Sequence, residues 1–278
     1  MKIIFKKFHC SGNDFIIIDN TNDNISMTPE LCRSMCSKHF GIGADGLILL
    51  KNNKDFLEIT FFNPDGSSDT LCGNGSLCAV EYNKKYIHNR TDTILASDGI
   101  HHYKVDEASN NHILFNDIRQ EVIRTIHLPA KINEHTLIHD AAFFVYTGSP
   151  HLVIFTHKID NIDVRGIGTI LRHDSRINPV GCNVDFAEIV DDNTLKVRTF
   201  ERGVEDETLA CGTGSVATAI CHHHLSKTDD NDINEITIMN QGGWHHVSYK
   251  HNPGVYTQIY LGGKPVEVFE GIYKAEND

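Results

Sequence analysis

Cys72-Gly73-Asn74-Gly75-Ser76 and Cys211-Gly212-Thr213-Gly214-Ser215 are two copies of one short motif, 139 residues apart in a chain of 278, so each half carries one. Upstream, Phe62-Asn63-Pro64-Asp65-Gly66 leads through Asp69-Thr70-Leu71 to the first cysteine. Phe200-Glu201-Arg202-Gly203 leads through Glu207-Thr208-Leu209-Ala210 to the second, with one extra residue needed to align the copies. Downstream, Leu77, Ala79, Val80 and Tyr82, and then Val216, Ala217, Ala219 and Ile220, have the apolar spacing of buried helices. Each cysteine is therefore expected where a turn becomes a helix. The first N–H groups of a helix are unpaired, and that end is partly positive. A thiolate is stabilised there, and the same donors can hold an oxyanion. The glycines remove the Cβ atoms that would keep a ligand from the backbone.

Outward from the motifs, strands predominate. Lys2 to Phe8 and Phe15 to Asp19 read as strands around a Ser11-Gly12-Asn13-Asp14 turn, and Leu47 to Leu50, Phe56 to Phe62 and Thr93 to Leu95 follow. A helix is predicted from Thr28, as N-cap, and Pro29, as first helical residue, to about His39. After a polar stretch at Glu107 to Asn111 the style repeats. Ile113 to Phe115, Phe143 to Tyr146, Leu152 to Phe155, Val184 to Ile189 and Leu195 to Phe200 read as strands. So do Glu235 to Met239, Trp244 to Tyr249, Val255 to Leu261 and Val266 to Phe269. Many strands around few helices, in two similar halves, make an α+β protein with two lobes.

The net charge of −12 disfavours nucleic acid or an anionic membrane as partner. Apolar runs such as Ile16 to Ile18, Leu47 to Leu50 and Ala141 to Tyr146 are too short to span a bilayer, and Met1 to Lys7 does not read as a signal peptide. The expectation is a cytoplasmic protein whose eight cysteines are free thiols. No metal site is expected, since there is no C-x2-C pair and the side chains of His222-His223-His224 diverge on a helix. Cys32 and Cys36 lie four apart on a helix-like stretch, and Cys10, Cys78, Cys182 and Cys221 read as small buried hydrophobes. Gly41-Ile42-Gly43-Ala44-Asp45-Gly46 spells a dinucleotide fingerprint by letter. Its context is inverted, because a helix precedes it and a strand follows.

The chain resembles the diaminopimelate epimerase family nearly end to end. The resemblance runs through Gly12-Asn13-Asp14-Phe15, Gly41 to Asp45, Asn63 to Gly66, Cys72 to Gly75, Pro150-His151, Asn183-Val184-Asp185-Phe186, Glu201-Arg202-Gly203 and Cys211 to Gly214. It implies two pseudo-symmetric lobes, each a strongly curved, mainly antiparallel sheet or barrel around a central helix. The first would span 1–115, completed by 265–278, and the second 116–264. The activity implied is epimerisation of LL-2,6-diaminopimelate to the meso form, in lysine and peptidoglycan precursor synthesis, without a cofactor. One cysteine thiolate would remove the α-proton while the other cysteine, as a thiol, returns one to the opposite face. By the same resemblance Cys211 would act on the LL substrate and Cys72 on the meso form. Asn13, Asn63, Asn183 and Arg202 would bind the distal end of the substrate, Arg202 gripping its carboxylate. The electrostatics of the two helix starts add an expectation of their own, that backbone N–H groups near Gly73-Asn74 and Gly212-Thr213 hold the α-carboxylate. His151 and Glu201 would tune the thiols, Glu201 also touching substrate. A small amino acid is the only partner implied, besides a second copy in a homodimer.

The sequence departs from the family pattern at Leu77, where arginine is usual, at Ser149, where asparagine is common, and at Gly46, which is glutamine in some members. A proline or hydroxyproline racemase of the same fold is the nearest alternative, with less need of Arg202 and Asn63. A thiol redox switch using Cys72 and Cys211, and a catalytically inactive interaction protein, are alternatives from other classes.

Overall fold

Parallel neighbours set the plan of this molecule, because strands that run the same way need a crossover rather than a hairpin. The computed structural model describes residues 1–69, 72–108, 110–128, 132, 142–226 and 233–275. The chain divides into two compact units, Met1–Ile113 with the segment from Gly263 onward, and Leu114–Gly262.

In the first unit, β1 (Lys2–Cys10) turns into antiparallel β2 (Asn13–Asp19). Helix α1 (Pro29–Cys36) then crosses to β3 (Gly46–Asn52), which lies parallel to β2. The antiparallel strands β4 (Leu57–Phe62) and β5 (Ser68–Asp69) follow, and α2 (Gly73–Tyr82) leads to β6 (Thr93–Ala96), parallel to β4. Next come β7 (Gly99–Val105) and β8 (Asn111–Leu114), each antiparallel to the strand before it. The closing strand of the chain, Val266–Lys274, pairs with β1 in this unit.

The second unit begins with β9 (Ile118–Arg119) and β10 (Arg124–Ile126) and then repeats the succession. Strand β11 (Ala142–Tyr146) is antiparallel to β12 (Pro150–Phe155), and α3 (Val164–Arg172) crosses to β13 (Asn183–Asp191), parallel to β12. Antiparallel β14 (Thr194–Glu201) and β15 (Asp206–Thr208) precede α4 (Gly212–Ser226). That helix leads to β16 (Ile233–Asn240), parallel to β14, followed by antiparallel β17 (Gly243–Asn252) and β18 (Val255–Gly263). The two lobes therefore share one topology, and the cysteine motifs fall at the same place in it.

Helices α2 and α4 are the centres. Residues Gly73 to Val80 and Tyr82 of α2 are buried, as are Gly212, Gly214 to Cys221 and His223 of α4. A helix that is apolar all round must be wrapped. Strands β1, β2 and β3 pack on α2, and β11 to β14, β16 and β17 pack on α4. The other crossover covers the far side of each sheet. Ile16, Ile18 and Leu47 share a core with Cys32 and Met35 of α1, whereas Phe15 and Ile48 approach Gly75 of α2. A strand buried on both faces cannot alternate, which is why Phe15 to Ile18 is an unbroken apolar run with every member fully buried. Each such side chain contributes about 1.5–3 kcal/mol.

Helices α1 and α3 differ from expectation, and strands β5, β7, β9, β10 and β15 were not predicted. Helix α1 begins as predicted, with the Thr28 hydroxyl accepting from the Leu31 N–H at 3.2 Å, but it ends at Cys36 rather than near His39. The N–H groups of Ile42 and Gly43 return to the Met35 carbonyl, so the chain folds back over the helix end and closes it. Helix α3 was not anticipated, because Gly166 and Gly168 lower its propensity. Asp163 caps it, accepting from the Gly166 N–H at 2.9 Å. The Gly41 to Gly46 stretch lies between α1 and β3 and opens no helix. All eight cysteines are free thiols, with Cys10, Cys78, Cys182 and Cys221 buried.

Candidate active site

Cys72 is the N-cap of α2, its carbonyl accepting the Ser76 N–H at 2.8 Å. Parallel strands β2 and β3 start beside that helix end and bring Asn13 and Asp45 to it. The Asn13 carboxamide donates to the Asp45 carboxylate at 3.2 Å, which turns its Oδ1 toward the Cys72 thiol at 3.9 Å and the Asn74 amide at 3.2 Å. Asp14 and Asp45 clasp each other through their backbone N–H groups, and the buried Lys7 ammonium lies 2.7 Å from the Asp14 carboxylate. Asn63 follows β4 in a turn in which its N–H donates to Ser67 O and its side chain to Ser67 Oγ. The half-buried thiol thus has an oriented oxygen acceptor beside it, with Asn13, Gly73 and Asn74 assembled around it.

The second unit builds a denser site on the same plan. Cys211 precedes α4, its carbonyl accepting the Ser215 N–H at 2.9 Å. Its sulfur lies 3.4 Å from both the Gly214 N–H donor and the Thr213 hydroxyl. His151 on β12 pairs in register with Asn183 at the start of β13. Asp185 lies two residues further along β13 and so on the same face as Asn183. The result is a buried cluster. His151 Nδ1 is 2.7 Å from Asp185 Oδ2, and His151 Nε2 is 2.8 Å from Ser149 Oγ and 2.9 Å from Thr213 Oγ1. Glu201, at the end of β14, accepts from Thr208 Oγ1 at 2.8 Å.

Burial pushes the Cys211 thiol well above its ordinary range, and the negative charges of Glu201 and Asp185 add to this against the opposing donors Thr213 and Gly214. Burial also raises the Glu201 carboxyl, with Thr208 and the Cys211 thiol opposing. Cys211 therefore rests as a neutral thiol whose conjugate thiolate is a strong base.

The structure brings Cys211, Gly212, Thr213, His151, Asn183 and Glu201 together. Arg202 joins them through its backbone N–H, which donates to Asn183 Oδ1 at 2.8 Å. Its side chain is exposed, and among the described residues the guanidinium forms no hydrogen bond or ion pair. The Asn183 carboxamide is engaged within the protein, by Arg202, Ser149, Pro150 and His151. Several polar residues of the two sites were not singled out from sequence, among them Asp185, Asp45 and Thr199. Asp185 and Asp45 lie inside quoted motifs, and the signal for Asp185 was its spacing of two from Asn183 on a strand. Thr199, which donates to Asp185 Oδ1 at 2.8 Å, carried no signal. Among the described residues no group of three or more His, Cys, Asp or Glu could hold a metal ion, and no helix is long and apolar enough to cross a membrane.

The chain is similar to known proteins over nearly its whole length. The diaminopimelate epimerase family model matches residues 5–126 and 143–268. A diaminopimelate epimerase of Flavobacterium psychrophilum is 41% identical over 272 residues, covering 95% of this chain and 97% of the relative. One of Chlorobaculum tepidum is 37% identical over 265 residues, covering 94% and 97%. The fold is shared more widely. A phenazine biosynthesis protein of the PhzF family from Bacillus anthracis superposes with a TM-score of 0.74 at 14% identity, covering 99% of this chain and 100% of that one. A hydroxyproline epimerase from Agrobacterium vitis, with bound trans-4-hydroxy-L-proline, gives 0.68 at 11% identity, covering 98% and 92%. The repeated lobes, the two helix-start thiols and this full-length similarity give one conclusion: the chain belongs to the diaminopimelate epimerase family, and it is an isomerase.

Proposed function

We propose that the protein interconverts LL- and meso-2,6-diaminopimelate by removing a proton from one face of an α-carbon and returning one to the other, with Cys72 and Cys211 as the two bases and no cofactor. The observation that carries this is the repeated topology, which sets one thiol at the start of a buried helix in each lobe. An inversion needs an acid and a base on opposite sides of one carbon, and a twofold repeat supplies a matched pair.

The difficult step is loss of a weakly acidic α-proton. A desolvated thiolate at Cys211, made more basic by burial and by Glu201, moves the base toward the acidity of that proton. Backbone N–H groups of Gly73-Asn74 and Gly212-Thr213 stabilise the enediolate that develops on the α-carboxylate. Cys211 acts on the LL substrate and Cys72 on the meso form. Of the set for the distal end that the resemblance implies, Arg202 is supported best, because an exposed guanidinium without a hydrogen bond or ion pair among the described residues suits a second carboxylate in bidentate geometry. That feature favours diaminopimelate over proline, which lacks the distal group. His151 and Glu201 set the protonation of Cys211.

The test is incubation with LL-diaminopimelate in deuterated water without added cofactor, with proline in parallel. Meso product carrying one α-deuterium is expected, with no exchange in proline. Exchange in proline alone would transfer the assignment to the racemase reading, and exchange in neither would remove the epimerase assignment.

A further inference from the structure

We propose that Asp185 is a positioning residue for Cys211: it fixes His151 as the neutral tautomer with its proton on Nδ1, leaving the Nε2 lone pair to receive the Cys211 proton through Thr213. The inference rests on the proposed role of Cys211 as a base.

The hydrogen-bond directions carry it. The Arg202 backbone N–H can only donate, so the Asn183 oxygen 2.8 Å away is its acceptor. The Pro150 carbonyl can only accept, and it lies 3.2 Å from the other end of the same carboxamide, which is therefore the NH2 group. That NH2 group lies 3.3 Å from His151 Nε2, so a bare Nε2 avoids placing two donors side by side and takes its hydrogen bonds from the hydroxyls of Ser149 and Thr213, at 2.8 and 2.9 Å. On the opposite side of the ring, His151 Nδ1 faces Asp185 Oδ2 at 2.7 Å, where a carboxylate requires a proton between them. Both side chains are fully buried, so water does not compete for either position. Asp185 is itself held. Thr199 donates to its other oxygen at 2.8 Å, and that oxygen lies 2.4 Å from where a Cβ on residue 214 would stand. Gly214 therefore admits the carboxylate beneath the first turn of α4.

With Nε2 bare, its one lone pair faces two hydroxyls, Ser149 at 2.8 Å and Thr213 at 2.9 Å. In the relay Thr213 is the donor to Nε2, and its oxygen lies 3.4 Å from the Cys211 thiol, placed to accept that proton. Thr147 anchors this threonine by donating to its carbonyl at 2.9 Å. Proton transfer then balances without a co-reactant. The S–H bond of Cys211 breaks as an O–H bond forms on Thr213, and the original Thr213 proton passes to Nε2. The sulfur keeps the electron pair. A neutral thiol and imidazole become a thiolate, held by the Gly214 N–H, and an imidazolium, held by Asp185.

The test uses the full-length protein labelled with 15N-histidine. His151 is located in long-range 1H–15N spectra by the signals lost in His151→Gln, and the resting wild-type protein at neutral pH is expected to show a protonated Nδ1 and a bare Nε2. A proton on Nε2, alone or on both nitrogens, would overturn the proposal, and this reading needs no Asp185 variant. Asp185→Asn keeps the shape, but Thr199 still donates to its oxygen and so turns the amide NH2 toward Nδ1. The tautomer should invert, and kcat should fall by about 10²- to 10⁴-fold with KM changed less than about threefold. An unchanged tautomer or an unchanged kcat in this variant contradicts the proposal. If the wild-type protein exchanges no substrate proton, the epimerase assignment falls, while the wild-type spectrum still decides the tautomer.

Discussion

Glu201 illustrates how single residues set this chemistry, because its charge and burial act on Cys211 in the same direction. Glu201→Gln keeps the shape and removes the charge, so the Cys211 pKa falls. In a Cys72→Ala background, alkylation of Cys211 by iodoacetamide at neutral pH is expected to speed up severalfold, and a slower reaction would contradict the electrostatic account. His245 gives a stability prediction. It is fully buried, and burial lowers its pKa from 6.5 to about 4. The unfolded chain therefore binds more protons than the folded one between those values. Its contribution is complete above pH 6.5 and is lost as the pH falls toward 4, amounting to about 3 kcal/mol. His245→Gln should flatten the fall in melting temperature over that window, and an unchanged profile would show that His245 is not its source.

At the scale of elements, α3 depends on one cap and one close approach. Asp163→Ala removes the cap and should cost about 1 kcal/mol in denaturant unfolding. Gly168→Ala places a methyl group 2.6 Å from Phe200 Cβ and should cost about 1–3 kcal/mol. The same helix shows where the sequence is hard to read. Thr28-Pro29 announced α1 because cap and first residue are local signals, whereas the glycines of α3 serve packing and conceal the helix. The strands around Phe15 to Ile18 and Leu152 to Phe155 were legible, since burial on both faces writes itself as an apolar run. Helices α2 and α4 were legible for the same reason. In the site, the cysteines, His151 and Glu201 stood out through repeat and motif. Thr199 did not, and Asp185 carried only its spacing of two from Asn183, because their relation to His151 comes from the pairing of β12, β13 and β14.

On the scale of the whole molecule, the order of pairings β2–β3, β4–β6 in one lobe and β12–β13, β14–β16 in the other is a single plan used twice. Its lobes are not equally continuous. The second is one stretch of chain, whereas the first needs the closing strand Val266–Lys274, which pairs with β1 from Lys2 to His9. Truncation after Gly263 should expose that edge of β1 and lower the melting temperature or the soluble yield, and a truncated chain as stable as the full one would contradict this. The central claim is that two thiols act on one carbon, one from each lobe. The most direct measurement is the rate of LL-to-meso conversion by folded Cys72→Ala and Cys211→Ala proteins. Both are predicted to lose inversion, each by at least about 10³-fold, and full activity in either would contradict the two-base account.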